Sequence, residues 1–400
     1  MIKDLKRIKK ETILKSLTII FFILSTSLFA QKVKAPLIEE KPDLAIDYKK
    51  IKIKNTKLIN EKKFEVDSVS VSNDGQKVCW VGKGHNIKQI PRNTVYFTDL
   101  TKPKIKLQKV PKRTPLDAHV RCTYDINDEL IVSELTYKFG ALVRTFLYMS
   151  RTGEYEPYGF NGNFSTYSKR LNKKGKKSKK LKRTHRIRPL SLGHSRNTLY
   201  IKHPKVHPSG EWIVYYTHED IRERGIYLLH RKSGTVHKIT DEYDKHPTWS
   251  YDGTKILFHH QKHEDNQEKS YLGYYDIKRM DIDGVEFKRI MLDDPNMPGF
   301  IYHKHPTHYP KSNLVFFHMT KKPEGKKFIG VREMKPESKV FQVMLKNNDL
   351  KFKKAKHPHA SKVDDGLFFI GKTIEDFKYK VYKLEKDGID ILKKKIKASK

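Results

Sequence analysis

The stretch Lys245–His260, which reads KHPTWSYDGTKILFHH, narrows the possible folds more than any other part of the chain. Asp252-Gly253 stands between a short run, His246 to Ser250, and an apolar run, Ile256 to Phe258. Asp-Gly between two strand-like runs is the strongest short hairpin signal, because a two-residue hairpin turn places both central residues at positive φ. One hairpin would mean little. Versions of this one recur along the 400 residues, and the recurrence carries the fold assignment.

Six units follow one pattern of inner strand, turn, apolar strand, third strand, second turn and fourth strand. The first runs from Val69–Ser72 through Asp74-Gly75, Val78-Cys79-Trp80 and Val95–Phe97 to Ile105–Leu107. The second has His119–Thr123, a degenerate Asn127-Asp128 turn, Leu130–Val132 and Phe146–Met149 before Thr152-Gly153. The third has His203-Pro204, Ser209-Gly210, Ile213–Tyr216, Ile226–Leu229, Ser233-Gly234 and Val236–Ile239. The opening stretch begins the fourth, which continues through Tyr275–Met280 and Asp283-Gly284 to Phe287–Met291. The fifth has His305-Pro306, Lys311-Ser312, Val315–Phe317, Phe328–Val331 and Val340–Leu345. The sixth has His357-Pro358, Asp364-Asp365-Gly366, Leu367–Ile370, Tyr379–Leu384, Asp387-Gly388 and a fourth strand at Ile389–Leu392.

Repeats of roughly 40 to 60 residues with four short strands each are the signature of a β-propeller. A lone four-stranded blade leaves both faces uncovered, and packing blades around an axis buries them. Trp80 and Trp249 are the natural filling between blades. A flat sandwich would not keep a four-strand period six times. The expected fold is all-β, a six-bladed β-propeller of four-stranded antiparallel blades. HPTWSYDGTKILF, with its Pro, Trp-Ser, Asp-Gly and following apolar strand, resembles the TolB-type (WD-like) propeller repeat over about residues 63–396. That resemblance implies a periplasmic or secreted propeller, usually a protein-interaction module and sometimes the propeller part of an enzyme.

Residues 1–30 read as a signal peptide. A basic stretch, Met1–Lys15, precedes the apolar run Leu17–Leu24 and a cut site at Ala30, in the order of an export signal. The apolar run is short of the 18 or so residues a membrane anchor needs, and no later segment is long enough to span. Residues 31–62 form a lead-in in which Lys50–Ile59 alternates weakly enough to add a strand, and residues 63–400 form the propeller. Two cysteines, Cys79 and Cys122, lie on inner strands of neighbouring repeats. They exclude a disulfide scaffold, and one disulfide and two buried thiols both remain open.

The formal net charge of +37 attracts polyanions. Twelve of the twenty residues Lys169–Arg188 are basic, and no acidic residue falls between Glu156 and Glu211. The core of this run, Lys173, Lys174, Lys176, Lys177, Lys179, Lys180, Lys182 and Arg183, is the candidate polyanion-binding segment, within a loop insertion at 161–198. A second insertion, His259–Ser270, is expected between the second and third strands of unit four. Export argues against nucleic acid as the polyanion.

Aligned, the repeats place His119, His203, His246, His305 and His357 in one slot at the start of the innermost strand, with Ser68 in unit one. In a propeller that slot rings one mouth of the axial channel. Shared descent of the repeats accounts for such a pattern, with His-Pro bonding the next blade. A metal or substrate site accounts for it as well, since imidazole is the commonest metal ligand and strand residues i and i+2 share a side. His303/His305 and His357/His359 are then two chelating pairs. His357-Pro358-His359 also resembles the metal-binding motif of oligogalacturonate lyases, which implies His357 and His359 as ligands to a divalent metal (Mn, Ca or Zn) and His305 as ligand or catalytic base. The six units here against seven in that family, and Lys354 in place of a glutamine ligand, are departures from it. No serine-hydrolase elbow, phosphate loop or dinucleotide fingerprint is present. The expectation is therefore a monomeric, exported, non-enzymatic binding module for a protein or an anionic polysaccharide. A metal-dependent lyase of acidic polysaccharide is the alternative.

Overall fold

Asp252-Gly253 closes a hairpin, though by a longer turn than the two-residue form expected. Gly253 lies at φ +77° whereas Asp252 does not take positive φ. The Gly253 N–H donates to the Ser250 carbonyl at 3.1 Å, and the Ser250 N–H to the Lys255 carbonyl at 2.8 Å. This is a β-turn followed by a left-handed glycine. Asp252 acts through its carboxylate, accepting from Ser250 Oγ at 2.5 Å and from the Thr254 N–H at 3.1 Å. A Cβ at Gly253 would strike the His207 ring, so space as well as φ requires glycine.

The computed structural model describes residues 48–399 with interruptions, the longest at 60–65, 83–92, 103–107, 111–117, 158–166, 169–181, 184–201 and 218–223. The expected signal peptide and most of the lead-in lie outside the described residues. The strands form antiparallel sets in chain order. The first is Val66–Val71, Lys77–Gly82, Thr94–Asp99 and Gln108–Lys109. The second is Ala118–Tyr124, Leu130–Lys138, Ala141–Arg151 and Glu154–Pro157. The third is Lys202–Val206, Trp212–Thr217, Gly225–His230 and Val236–Lys238. The fourth is Asp244–Trp249, Lys255–Glu264, Gln267–Met280 and Val285–Met291, and the fifth is Tyr302–His308, Leu314–Thr320, Phe328–Glu333 and Phe341–Asn347. The sixth takes Leu350–Ala360, Gly366–Thr373 and Lys380–Glu385 from the C-terminal end and Thr56–Leu58 from the other, in antiparallel register Lys57↔Lys383. The last three sets are linked, by Ser270 opposite Tyr302 and Lys346 opposite Lys351, and with Lys49–Ile53 they make one thirteen-strand sheet.

The sixth unit corrects the expectation. Ile389–Leu392 is not a strand but part of an α-helix, Lys386–Lys397, that buries Gly388, Ile389, Leu392 and Ile396. The i, i+3, i+7 spacing of those isoleucines and leucine is a helical period that outweighs the Asp387-Gly388 turn signal. Asp387 in the first turn and Lys394, Lys395 and Lys397 in the last suit the helix dipole. The vacated edge goes to Thr56–Leu58, while Lys49–Ile53 runs parallel to Phe341–Asn347 with Ile51 opposite Val343. The expected insertion at 259–270 is instead a hairpin extension, with Gln261 opposite Ser270 and His263 opposite Glu268.

Apolar side chains pack each set on the next. Cys79 and Val81 meet Val132 between the first and second, and Ile131 meets Tyr215 between the second and third. Trp249 packs with Trp212 and Tyr216 between the third and fourth, and Leu257 with Phe317 between the fourth and fifth. Phe316 and Phe369 join the fifth to the sixth. Trp80, fully buried, then packs with Phe368 and Ile370 of the sixth, so the last set lies against the first. Both tryptophans fill spaces between sets, as their positions in the repeat implied.

Cys79 and Cys122 form a disulfide between the first two sets, with Cα atoms 6.4 Å apart and 43 residues of separation. Closing a loop of that length in the unfolded chain is worth about 4 kcal/mol in the chain-entropy account. Thiol reductant is expected to lower the denaturant midpoint correspondingly. A midpoint unchanged by reduction, measured by tryptophan fluorescence, would contradict this.

Candidate functional site

Four histidines break the regular backbone in the same way. His203, His246, His305 and His357 all lie at φ between 50° and 53°. Each precedes proline and falls where its strand slips register against the next, at Lys202/Lys205, Lys245/Thr248, Lys304/Thr307 and Lys356/His359. A proline has no N–H to give the ladder, so a bulge is where a sheet tolerates it. Histidine enters the left-handed region more readily than most residues, yet such backbone still costs on the order of 1 kcal/mol or more each. The same left-handed conformation thus recurs four times at one position of the repeat.

The bulges bring the rings together. Ring centroids are 4.3 Å apart for His203 and His246, 3.8 Å for His246 and His305, and 3.9 Å for His305 and His357. Two further histidines, from second strands, complete the cluster. His318 lies 4.8 Å from His305 and 5.3 Å from His357, and His259 stacks on His246 at 4.6 Å. The Nδ1 atoms of His246 and His259 are 3.1 Å apart. In His203/His246/His305 and again in His305/His318/His357, one nitrogen from each ring falls within 4.8 Å of the others. His305 belongs to both groups. Repeat alignment alone missed His259 and His318; the signal available was Phe-His on two second strands, Phe258-His259 and Phe317-His318.

Burial holds His246, His259, His305, His318 and His357 well below the ordinary imidazole range. Neighbouring cations add to this: Lys304 and Lys245 at His259, Lys327, Lys304 and Lys356 at His318, and Lys356 and Arg121 at His357. At neutral pH these rings are uncharged, the state in which imidazole ligates metal. Neither three-histidine group includes a carboxylate. An all-nitrogen set suits zinc and its late transition-metal neighbours, whereas calcium and manganese favour oxygen.

Three expectations are corrected by the register. His119 is not the second set's member of the ring: its buried Nδ1 accepts the Val95 N–H at 2.8 Å. The equivalent position, counted back from the turn that Asp125 opens, is Arg121, whose Nε donates to His203 Nε2 at 2.9 Å. His357 and His359 do not chelate together, because the left-handed residue breaks the alternation of sides. His359 Nε2 instead meets Lys205 Nζ at 2.5 Å and Ser70 Oγ at 3.2 Å. His303 likewise parts from His305, setting Nδ1 2.9 Å from Asp293 and Nε2 3.1 Å from the Tyr48 hydroxyl, in a buried network with Arg332.

Two residues beyond the histidine slot, the inner strands line a cavity of about 80 Å³. Thr123, Lys205, Thr248, Thr307 and His359 contribute from that position, and the first set contributes Val71, one residue further on. Burial pushes the Lys205 ammonium down to about 7. Of the candidate polyanion segment, Lys173, Lys174, Lys176, Lys177, Lys179 and Lys180 lie outside the described residues. Lys182–Arg183 forms a short strand paired with Tyr167–Ser168, so the 161–198 insertion is not wholly loop.

No protein-family model matches the sequence, and no curated protein matches it. Among solved structures, the chain is similar to a protein assigned as TolB from Agrobacterium tumefaciens, at 13% identity and TM-score 0.45 over 72% of this chain and 83% of that one. It is similar to TolB from Acinetobacter baumannii at 9% identity and TM-score 0.43, over 78% of this chain and 64% of that one. It is also similar to the β-propeller domain of Cps50 (Swd1) from Myceliophteria thermophila, at 8% identity and TM-score 0.44 over 82% of this chain and 99% of that domain.

Proposed function

We propose that this chain is a six-bladed β-propeller binding module whose recognition site is the histidine cluster, loaded with one zinc-type divalent ion. The observation that carries the reading is the convergence of two three-histidine groups on His305. Six four-strand sets, the packing of the sixth on the first, and a cavity lined by all six support the blade count. Three neutral imidazoles leave the ion its full charge and an open coordination position. Arg121, Lys304 and Lys356 surround the cluster and oppose a bare dication. An acidic group of the partner at the open position offsets that repulsion, so metal and acidic partner bind cooperatively. The partner class is a protein or polysaccharide bearing carboxylates. The basic run Lys173–Arg183 adds long-range attraction. The apolar run near the N-terminus supports export to the periplasm or beyond, and among the described residues no helix is long and apolar enough to cross a membrane.

Metal analysis of the purified protein is expected to find one equivalent of zinc-type metal per chain. Its retention on an immobilised acidic polysaccharide is expected to fall at least tenfold after chelation. No stoichiometric binding with zinc in excess would overturn the metal, and retention indifferent to chelation would overturn its role in recognition. The alternative, a metal-dependent lyase, retains His305 in the metal group but loses the His357–His359 pair. Unsaturated product released from an acidic polysaccharide by the metal-loaded chain would favour it.

A further inference from the structure

The axial cavity poses a separate question, because its chemistry is opposite to that of a cation site. Lys205 and Lys362 carry the only formal charges among its lining residues; Asp128 lies near Lys362, but Lys205 has no aspartate or glutamate beside it. Lys205 Nζ reaches Ser70 Oγ at 3.3 Å and His359 Nε2 at 2.5 Å, and neither partner brings a negative charge. Thr123, Thr248 and Thr307 set hydroxyls on three more inner strands at the same register as Lys205. Thr307 Oγ1 accepts the Ala360 N–H at 3.4 Å, which leaves its proton to donate.

A part-buried ammonium with no counter-charge beside it is unfavourable, and an anion relieves it. We infer that the axial cavity is a binding site for a small oxyanion (phosphate, sulfate or a terminal carboxylate), held by Lys205 and the surrounding hydroxyls of Ser70, Thr123, Thr248 and Thr307. Hydrogen bonds from an ammonium to an anion are the strong kind, and hydroxyls from several directions match oxygens that point several ways. A cavity of about 80 Å³ admits such a group and a few waters, not a sugar ring. A metal ion is excluded from the same place by Lys205 and Lys362. The site does not depend on the metal reading, since it lies two residues further along each inner strand and uses none of the two three-histidine groups.

The oxyanion could arrive free or as the end group of a larger molecule, and a titration separates the two. Calorimetry on the full chain, with a chelator present to empty the metal site, would use sodium phosphate, sodium sulfate, sodium acetate and a monosaccharide phosphate as probes. Saturable binding of at least one is expected. Binding of the inorganic ions alone assigns a free-ion site; binding of the sugar phosphate as well assigns an end group that enters from outside. Lys205→Met is expected to weaken binding at least tenfold, and Thr248→Val and Thr307→Val, which keep side-chain shape, several-fold each. Lys278→Met, an exposed charge removal elsewhere, is the matched control. The unfolding midpoint of every variant is measured alongside, and the threonine variants decide the matter if Lys205→Met does not fold. Absence of saturable binding by all four probes would overturn the inference. So would wild-type affinity in the folded Lys205→Met variant, or in both threonine variants.

Discussion

Acidifying the metal-free chain from pH 7 to pH 5 is expected to unfold it, well above the range in which carboxylates protonate. The cause is the histidine cluster. Burial holds His246, His259, His305, His318 and His357 well below the reference value of 6.5. Below that value the unfolded chain takes up protons that the folded chain cannot. Stability therefore rises with pH through this window, is fully present above 6.5, and is lost as the pH falls beneath it. Each such group contributes at most about 1.4 kcal/mol per pH unit. Even two acting fully would remove about 3 kcal/mol per unit from a typical total of about 5–15 kcal/mol. Asp293 acts in a different window. Burial raises its carboxyl, but His303 and Arg332 more than offset this, and the stability it contributes is lost only below the usual carboxylate range. Circular dichroism along a pH series in chelator is expected to show a midpoint above pH 5. His259→Phe with His318→Phe should move it lower. A wild-type midpoint below pH 4 would contradict the account.

Substituting His305 by alanine is expected to abolish metal binding, whereas substituting His246 or His318 alone should leave it measurable. The difference follows from sharing. His246→Ala leaves His305, His318 and His357 as a complete set, and His318→Ala leaves His203, His246 and His305. His305→Ala breaks both. Loss of a residue that merely orients a ligand costs roughly 10- to 100-fold in affinity, so loss of the shared ligand is expected to exceed a hundredfold. Competition with a chromophoric zinc chelator measures it, and circular dichroism verifies that the variant folds. His359→Ala should leave metal affinity within a few-fold of the parent, although its i+2 spacing from His357 singled it out in the sequence. Zinc affinity in His305→Ala within tenfold of wild type would remove the shared-ligand assignment.

The two outcomes for histidine show where a linear reading succeeds and where it stops. Repeat alignment brought His203, His246, His305 and His357 into one slot because period and turn signals are local, and local signals survive in a string of residues. The i/i+2 pairings failed because that rule assumes regular strand. A left-handed residue before proline breaks the alternation, sending His303 to Asp293 and His359 to Lys205. Arg121 was hidden for a related reason. The second turn is degenerate, and without its glycine the alignment settled two residues early, on His119. His259 and His318 were out of reach, since they enter from second strands and share no slot with the inner-strand histidines.

What the sequence determined was local: short strands joined at turns, a left-handed glycine in the best-preserved of those turns, and tryptophans between sheets. These follow from period-2 alternation and turn chemistry, which act over a few residues. Tertiary structure decided the rest. Thr56–Leu58 fills the sixth set's edge across more than 300 residues because Ile389, Leu392 and Ile396 follow a helical period and leave that edge vacant. The disulfide was settled when two adjacent sheets placed Cα atoms 6.4 Å apart. The histidine cluster and the oxyanion cavity exist only because inner strands distant in sequence run side by side, so that the slot and the residue two beyond it meet their counterparts from other strands.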